Sequence, residues 1–526
     1  MNIDPATQTN IRQALSLYSG GRFAEALAII KRVLQLHPAN VDALNFAAAC
    51  SLRMDRNLDA ETYWRRVIKE KPEYADAHYN LGLLFQKLKR FQEAEAAYQR
   101  AIAIRPDNAQ AHCNLGVVLV ELRRLAEAET VYRRAIAIRP DYAEVHGNLG
   151  NLLRELKRFS EAEAAYQRSL AIRPDYADVH THLGLLLHEI KRFSEAEAAY
   201  RRALAVRPGC ADASWYLSIL LLYLGRWPEA WPLYEARYRS EVTRGTTPPS
   251  VGYPQWRGES LQGKSLLIWP EQGYGDEIQF VRYLPVLKAQ GATRITLVCR
   301  PELRPLFQSL TGADVVIAPE GARNTSAHDF WTFLLSIPLH LGTTPDSIPA
   351  SLPYLQAPQD RIEFWRPRLP ETGVRVGLVW KGRASHNNDS NRSLPGLATL
   401  APLWGVPGLS FISLQKGQGE ADAIQPPLNQ PILHLGSDIK DFADSAAIVA
   451  QLDLVISVDT AIAHLAGALG KPCWVLLPGI GTDWRWMDAR VDSPWYPGVM
   501  RLYRQEGSDW AEIVGEMVRS LLDRKP

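Results

Sequence analysis

Cysteine is scarce in this chain: five in 526 residues, at Cys50, Cys113, Cys210, Cys299 and Cys473. The number is odd, the positions are scattered and no C-x-x-C pair occurs, which argues against a disulfide framework and against structural zinc. A reducing, cytoplasmic setting is the expectation. Net charge is also missing. Fifty-nine basic against 57 acidic side chains leave +2, so nothing draws the chain to nucleic acid or to an anionic membrane. No uncharged apolar run approaches the length of a membrane span, and the start MNIDPATQTN lacks the charged-then-apolar pattern of an export signal. What remains is an ordinary soluble composition, 46% hydrophobic and 22% charged, with length for about two to four domains.

The N-terminal half repeats. Proline recurs at Pro38, Pro72, Pro106, Pro140, Pro174 and Pro208, each 34 residues from the last, and a small residue recurs at Ala14, Ala48, Gly82, Gly116, Gly150, Gly184 and Ser218. A 34-residue period with this pattern is the tetratricopeptide signature, here six full units and a divergent seventh. The small residue lets two helices approach, and the units stack into a superhelix with a long concave surface suited to an extended peptide. Two ladders run through it. His78, His112, His146 and His180 recur once per unit, roughly 10 Å apart as packed helices are, too far to share a metal ion; packing between helices is the expectation. Asn80, Asn114 and Asn148 recur beside the apolar core position, giving way to His182 and Tyr216. A side-chain amide both donates and accepts, so a row of them can hold a peptide backbone without reading its sequence; plain surface asparagines are the alternative. The array resembles the tetratricopeptide half of eukaryotic O-GlcNAc transferase, down to the asparagine ladder.

After EVTRGTTPPSVGYPQW, residues 241–256, which reads as a linker, the texture changes. Strands are expected at 265–270, 294–300 and 313–318, with helices at 276–290 and 302–310; a second series of strands runs through 374–380, 409–415, 452–458 and 473–478. Such alternation specifies parallel sheets with helices on both faces. DRIEFWRPRLPETG lies between the two series as a connection, and ligands of open α/β sheets bind at the carboxyl ends of the strands. In LVISVDTAIAHLAGALGKPCWVLLPG, residues 454–479, a buried strand turns at Asp459-Thr460 into a helix bearing His464 and then into a second strand. Backbone N–H groups and the helix dipole at such a corner favour an anion, although Asp459 can equally be a helix cap.

EQGYGDEIQFVRYLP, VGLVWKGRASHNNDSNRSLP, SLQKG and SVDTAIAHLAGALGKP together resemble the heptosyltransferase-type glycosyltransferases of GT-B fold, in the bacterial branch fused to tetratricopeptide repeats, the O-GlcNAc-transferase-like proteins. The resemblance covers 225–526 and implies α + α/β architecture: a repeat solenoid over 1–240, the linker, and two Rossmann-like domains, an acceptor-side one over 257–365 and a nucleotide-sugar-binding one over 371–526. It implies inverting sugar transfer from a nucleoside diphosphate, with Asp276 as general base. Arg392 falls where those enzymes carry a phosphate-binding lysine, and Asp459, Thr460, Ala461 and His464 match their Asp-Thr-Gly-x-x-His turn with alanine in place of glycine.

The chemistry of the residues agrees. A carboxylate takes the acceptor proton and positive groups meet the leaving diphosphate. No D-x-D metal motif lies near these strand ends, so Lys381, Arg392, His464 and the helix dipole are expected to stand in for a divalent ion, with Asp459 orienting His464 or a backbone amide. Asp276 as a helix cap, Lys381 and Arg392 as surface charges and His464 as a core histidine are the structural alternatives. Gln415, Lys416 and Glu420, after the 409–415 strand, are candidates for base and ribose, a UDP-sugar being favoured and no resident cofactor or metal expected. A peptide-binding array beside such a domain shifts the acceptor from lipid-linked glycan toward protein Ser or Thr. A scaffold with an inactive glycosyltransferase fold, or transfer to a lipid-linked or free glycan, are the alternatives.

Overall fold

The computed structural model describes residues 5–240, 242–243, 247–386, 388–507 and 509–523, so the linker read at 241–256 falls partly outside them. The chain forms two compact units, Met1–Pro208 and Gly209–Pro526.

The first unit is all helical. After a first pair of 15 and 14 residues, each repeat is a 13-residue helix followed by one of 14, as in Ala75–Lys87 and Phe91–Ile104. The recurrent glycine is required by packing: a β-carbon on Gly82, Gly116, Gly150 or Gly184 would lie 2.3–2.6 Å from the ring of Tyr98, Tyr132, Tyr166 or Tyr200. The histidine ladder does more than fill space. The Nε2 atoms of His78, His112, His146 and His180 lie 2.9–3.1 Å from the carbonyls of Pro72, Pro106, Pro140 and Pro174. Each imidazole thus satisfies a carbonyl at the turn between repeats, where the helical ladder has ended. Successive second helices are also tied by Arg90–Glu61, Arg124–Glu95, Arg158–Glu129 and Arg192–Glu163 pairs at 2.6–2.7 Å.

The seventh helix pair, Ala211–Tyr223 and Trp227–Tyr234, belongs to the second unit. The compact division therefore falls earlier than the repeat period suggests, which ran the array to 240. The reason is aromatic: Trp227 stacks on Trp495 with centroids 5.2 Å apart, Trp231 meets Trp484 edge-on at 5.7 Å, and the Trp231 indole donates to the Thr343 carbonyl at 2.7 Å. Arg237, fully buried, then pairs with buried Glu271 at 2.9 Å, just past the first strand.

Two parallel sheets make up the rest. The first has β1 (Ser265–Trp269), β2 (Arg294–Val298), β3 (Val315–Ile317) and β4 (Phe330–Phe333) in the order β3-β2-β1-β4. The second has β5 (Val374–Val379), β6 (Leu409–Ser413), β7 (Leu433–His434), β8 (Leu454–Val458), β9 (Cys473–Leu477) and β10 (Met500–Arg504) in the order β10-β9-β8-β5-β6-β7. β8 and β9 are buried at every residue, as strands covered on both faces must be. β4, β7 and β10 were not expected from the sequence. The helix expected at 276–290 is Tyr274–Phe280, a 3-10 turn and Leu284–Ala289, broken before Pro285. The connection after residue 358 folds as a helix, Gln359–Trp365, and docks on the second sheet's layer through Trp365 and Arg361, which both donate to Asp444.

Strand order reverses beside β1 in the first sheet and between β5 and β8 in the second. Chains leaving such neighbouring strands on opposite faces open a crevice at the carboxyl ends. The helix after β1, Tyr274–Phe280, packs against the helix after β8, Ala461–Ala468, so the two reversal points meet.

Candidate functional site

That helix contact brings Asp276 to the Asp459-Thr460 corner. Gly275 makes it possible, since a β-carbon there would lie 2.7 Å from His464 Cδ2. Asp276, the third residue of its helix, accepts the Gly273 N–H at 2.6 Å through Oδ2, closing the first turn. Its Oδ1 accepts from Arg485, on the segment after β9, in an ion pair between the layers of the two sheets. Burial raises the Asp276 pKa, against the pull of Arg485 and the Gly273 N–H.

Arg485 organises the corner. It is buried, and it donates to both oxygens of Asp483 at 2.9 and 3.0 Å and to Gln279 Oε1 at 2.8 Å besides Asp276. Asp483 also caps the 3-10 turn Trp484–Trp486 by accepting the Arg485 N–H at 2.9 Å. Two carboxyl groups at this point are driven apart. Burial, and next the charge of Asp483, push Asp459 up to about 6, whereas Arg485 keeps Asp483 below the ordinary value despite burial. Neither Asp483 nor Arg485 was singled out in the sequence. The signal available was TDWRW, directly after the last strand that had been recognised.

Arg392 arrives where expected. Its Nη1 donates to the Asp459 carbonyl at 3.1 Å and its guanidinium lies over Gly382, where a β-carbon would come within 2.6 Å of Nη2. Its Nε is buried without a hydrogen-bond partner and lies 3.6 Å from Asp389 Oδ1 in an ion pair. Lys381 leaves the end of β5 and lays its stem over Gly419. Thr460 is bonded to Ser457 Oγ at 2.9 Å, and it gives no side-chain cap to the helix that opens at Ala461, leaving the first-turn N–H groups of Ala461 and Ile462 uncapped by it. His386, exposed on the loop after β5, is close enough to Arg392, Asp483, Asp389 and Asp276 to feel their charges.

His464 does not play the part expected of it. Burial, and after it the charge of Arg485, lower its pKa to about 3, so the ring is neutral and lends no positive charge. Its Nδ1 bonds Tyr496 OH at 3.0 Å, with no bond to Asp459, and its face stacks on Trp486 at 5.2 Å. Gln415 also departs from expectation: its Oε1 accepts the N–H groups of Trp380 and Lys381 at 3.0 Å, and its Nε2 donates to the carbonyls of Lys381 and Gln418. With the side chain 2% exposed in this way, it shapes the turn after β5 rather than facing a base. Lys416 donates to the Ile439 carbonyl at 2.6 Å, and Glu420 accepts from Gly417 N–H at 2.7 Å and Ser437 Oγ at 2.5 Å. All three hold loops together at the carboxyl edge of β6.

In the repeat array, Asn80, Asn114 and Asn148 are half-buried on successive first helices. Asn114 Nδ2 donates back to Tyr79 OH at 3.0 Å and Asn148 Nδ2 lies 3.6 Å from Cys113 Sγ, both in the preceding repeat. Part of the ladder's donor capacity thus joins repeats.

Tetratricopeptide-repeat family models match residues 17–81, 75–108, 107–175, 141–209 and 181–241. The N-terminal region is a tetratricopeptide-repeat array. Protein FlbA of Caulobacter vibrioides is 29% identical over 317 residues, 56% of this chain and 52% of that protein; the chain spans about half the length of this curated relative. Among solved structures, MamA is 23% identical over 34% of this chain and 99% of its own at a TM-score of 0.30, and PilW, a type IV pilus biogenesis factor, 20% identical over 39% and 96% at 0.36. YrrB, described as a tetratricopeptide protein with an unusual peptide-binding site, is 17% identical over 35% and 95% at 0.31. No described helix is long and apolar enough to cross a membrane.

Proposed function

We propose that the second unit transfers a sugar, with inversion, from a nucleoside diphosphate donor to a Ser or Thr hydroxyl of a protein held by the repeat array. The observation that carries this reading is the meeting of Asp276 with the Arg392, Asp459 and Thr460 corner at the strand-order reversals of two parallel sheets. The corner has groups that suit a diphosphate: the Arg392 guanidinium and a helix start that Thr460 leaves without a side-chain cap, with Lys381 following the end of the neighbouring strand β5. Across it stands a carboxylate whose pKa burial has raised, the direction that suits a general base. Arg485 orients that carboxylate and tempers the rise.

The reaction then runs as follows. The acceptor hydroxyl loses its proton to Asp276 Oδ1 or Oδ2, the bond to the anomeric carbon forms as the bond to the diphosphate breaks, and the charge left on the diphosphate is met by Arg392, Lys381 and the helix start. No divalent ion is called for by these residues. A second reading, a scaffold whose cleft is permanently sealed, draws on the same ion pair: in the structure both Asp276 oxygens are already engaged. A panel of sugar nucleotides followed by thermal shift separates the two. A donor present at about 100 times its dissociation constant adds about 2.7 kcal/mol; a panel in which none stabilises the chain favours the scaffold.

A further inference from the structure

Arg282 is a buried cation without a counter-charge. It is 3% exposed, and its guanidinium donates to the Gln279 carbonyl at 2.8 Å, to Tyr354 OH at 2.9 Å and to the Trp495 carbonyl. Around it stand the rings of Tyr354, Tyr496 and Trp495, 4.5, 4.7 and 5.4 Å from the guanidinium carbon. Among the described residues it forms no ion pair with a carboxylate, whereas the other buried arginines here, Arg237 and Arg485, each have at least one. Burying a charge without an opposite one costs several kcal/mol unless something supplies it, and a guanidinium does not escape by losing its proton.

The geometry also provides room. Arg282 and Tyr354 line a cavity of about 270 Å³ whose other polar walls are Ser309, Thr311, Ser351 and Gln356, all four exposed. The Arg282 guanidinium, which can only donate and has more N–H groups than the three bonds above use, and the hydroxyl and amide groups lining the same cavity, which can donate, suit a ligand that only accepts. We infer that this cavity is a binding site for a phosphate group, either inorganic phosphate or the phosphate of a small monoester. It is separate from the corner at Asp459. Arg282 comes from the turn after the helix following β1, Tyr354 from the connection between the sheets, and Trp495 and Tyr496 from the second sheet's layer. An anion at Arg282 therefore bears on the packing of one sheet's layer against the other.

The test uses the full chain in chloride buffer of constant ionic strength, titrated with inorganic phosphate and separately with glycerol 3-phosphate, by calorimetry and thermal shift. Wild type is expected to bind at least one saturably and to gain melting temperature. The double variant Thr311→Val, Ser351→Ala should weaken that binding tenfold or more, and Arg282→Gln should abolish the phosphate-dependent gain. Tighter binding of glycerol 3-phosphate identifies a monoester site, and equal binding a site for phosphate itself. Absence of saturable binding in wild type, or binding that the double variant leaves intact, overturns the inference; the double variant alters only exposed residues, so the test stands even if the Arg282 variant fails to fold. Sugar-nucleotide turnover is not read in any arm, so the result is independent of the proposed transfer reaction.

Discussion

Asp276 and Arg485 lie 209 residues apart and meet as an ion pair that fastens the layer of the first sheet to that of the second. Arg485 holds both oxygens of Asp483 through Nη1, so one guanidinium serves two carboxylates. Arg485→Ala leaves both without their partner and is expected to cost about 3–5 kcal/mol, as removal of one member of a buried pair does. Urea denaturation checks it; a loss below about 1 kcal/mol would mean the pair is incidental.

Two groups at the corner contribute to the pH dependence of stability in opposite directions. Asp459 keeps its proton up to about pH 6 in the folded protein, against about 3.9 when unfolded. The folded chain therefore binds more protons across that window, and this group's contribution is full below about pH 4 and lost as pH rises through 6. His464 runs the other way: with its pKa lowered to about 3, its contribution is present above about 6.5 and lost as pH falls. Asp459→Asn should remove the first slope and His464→Gln the second. Because the two slopes oppose each other between about pH 4 and 6, denaturation measured from pH 4 to 8 in which neither variant changes the wild-type pH dependence would contradict this assignment.

In the array, Gly150→Ala drives a β-carbon into Tyr166, 2.6 Å from the ring. Overpacking of this kind costs about 1–3 kcal/mol. His146→Ala should cost about 1 kcal/mol by stripping the Pro140 carbonyl of its partner. If Gly150→Ala melts as wild type does, the glycine has a reason other than helix approach.

Replacing Asn80, Asn114 and Asn148 together by alanine should weaken capture of a protein acceptor while leaving turnover of the sugar nucleotide nearly unchanged. Since Asn114 and Asn148 also join repeats, a small loss of stability should accompany it. Equal acceptor turnover in the triple variant would remove the ladder from peptide binding.

Sequence periodicity made the array legible because every repeat restates the same packing problem, the glycine under the tyrosine and the proline at the turn. β1, β5, β8 and β9 were legible as apolar runs for the same reason that they are buried on both faces. β4, β7 and β10 were not: FWTF and LH are too short to show a period, and MRLYR alternates charge with apolar residues at a sheet edge. At the site, Asp276 and Arg392 stood at strand ends, where position alone suggests a role. Gln415 stood at one too, yet its four hydrogen bonds to nearby backbone show that the same position can serve the turn itself. Arg485 was hidden because its meaning lies in a contact 209 residues away.

Arg392→Ala tests the corner itself. Charge-assisted contacts are worth about 1.5–3 kcal/mol, so nucleoside diphosphate binding should weaken roughly tenfold or more. Nucleoside monophosphate should feel the change less. Unchanged diphosphate affinity would place the phosphates elsewhere.

The most direct measurement is release of nucleoside diphosphate from a panel of sugar nucleotides, UDP-sugars first, by the full chain with a protein acceptor and a strong chelator present. Turnover by wild type in the chelator, lowered roughly 10²- to 10⁴-fold in Asp276→Asn as loss of a general base entails with donor affinity retained, is the expected result. No turnover of any donor by wild type, or wild-type turnover in Asp276→Asn, would contradict it.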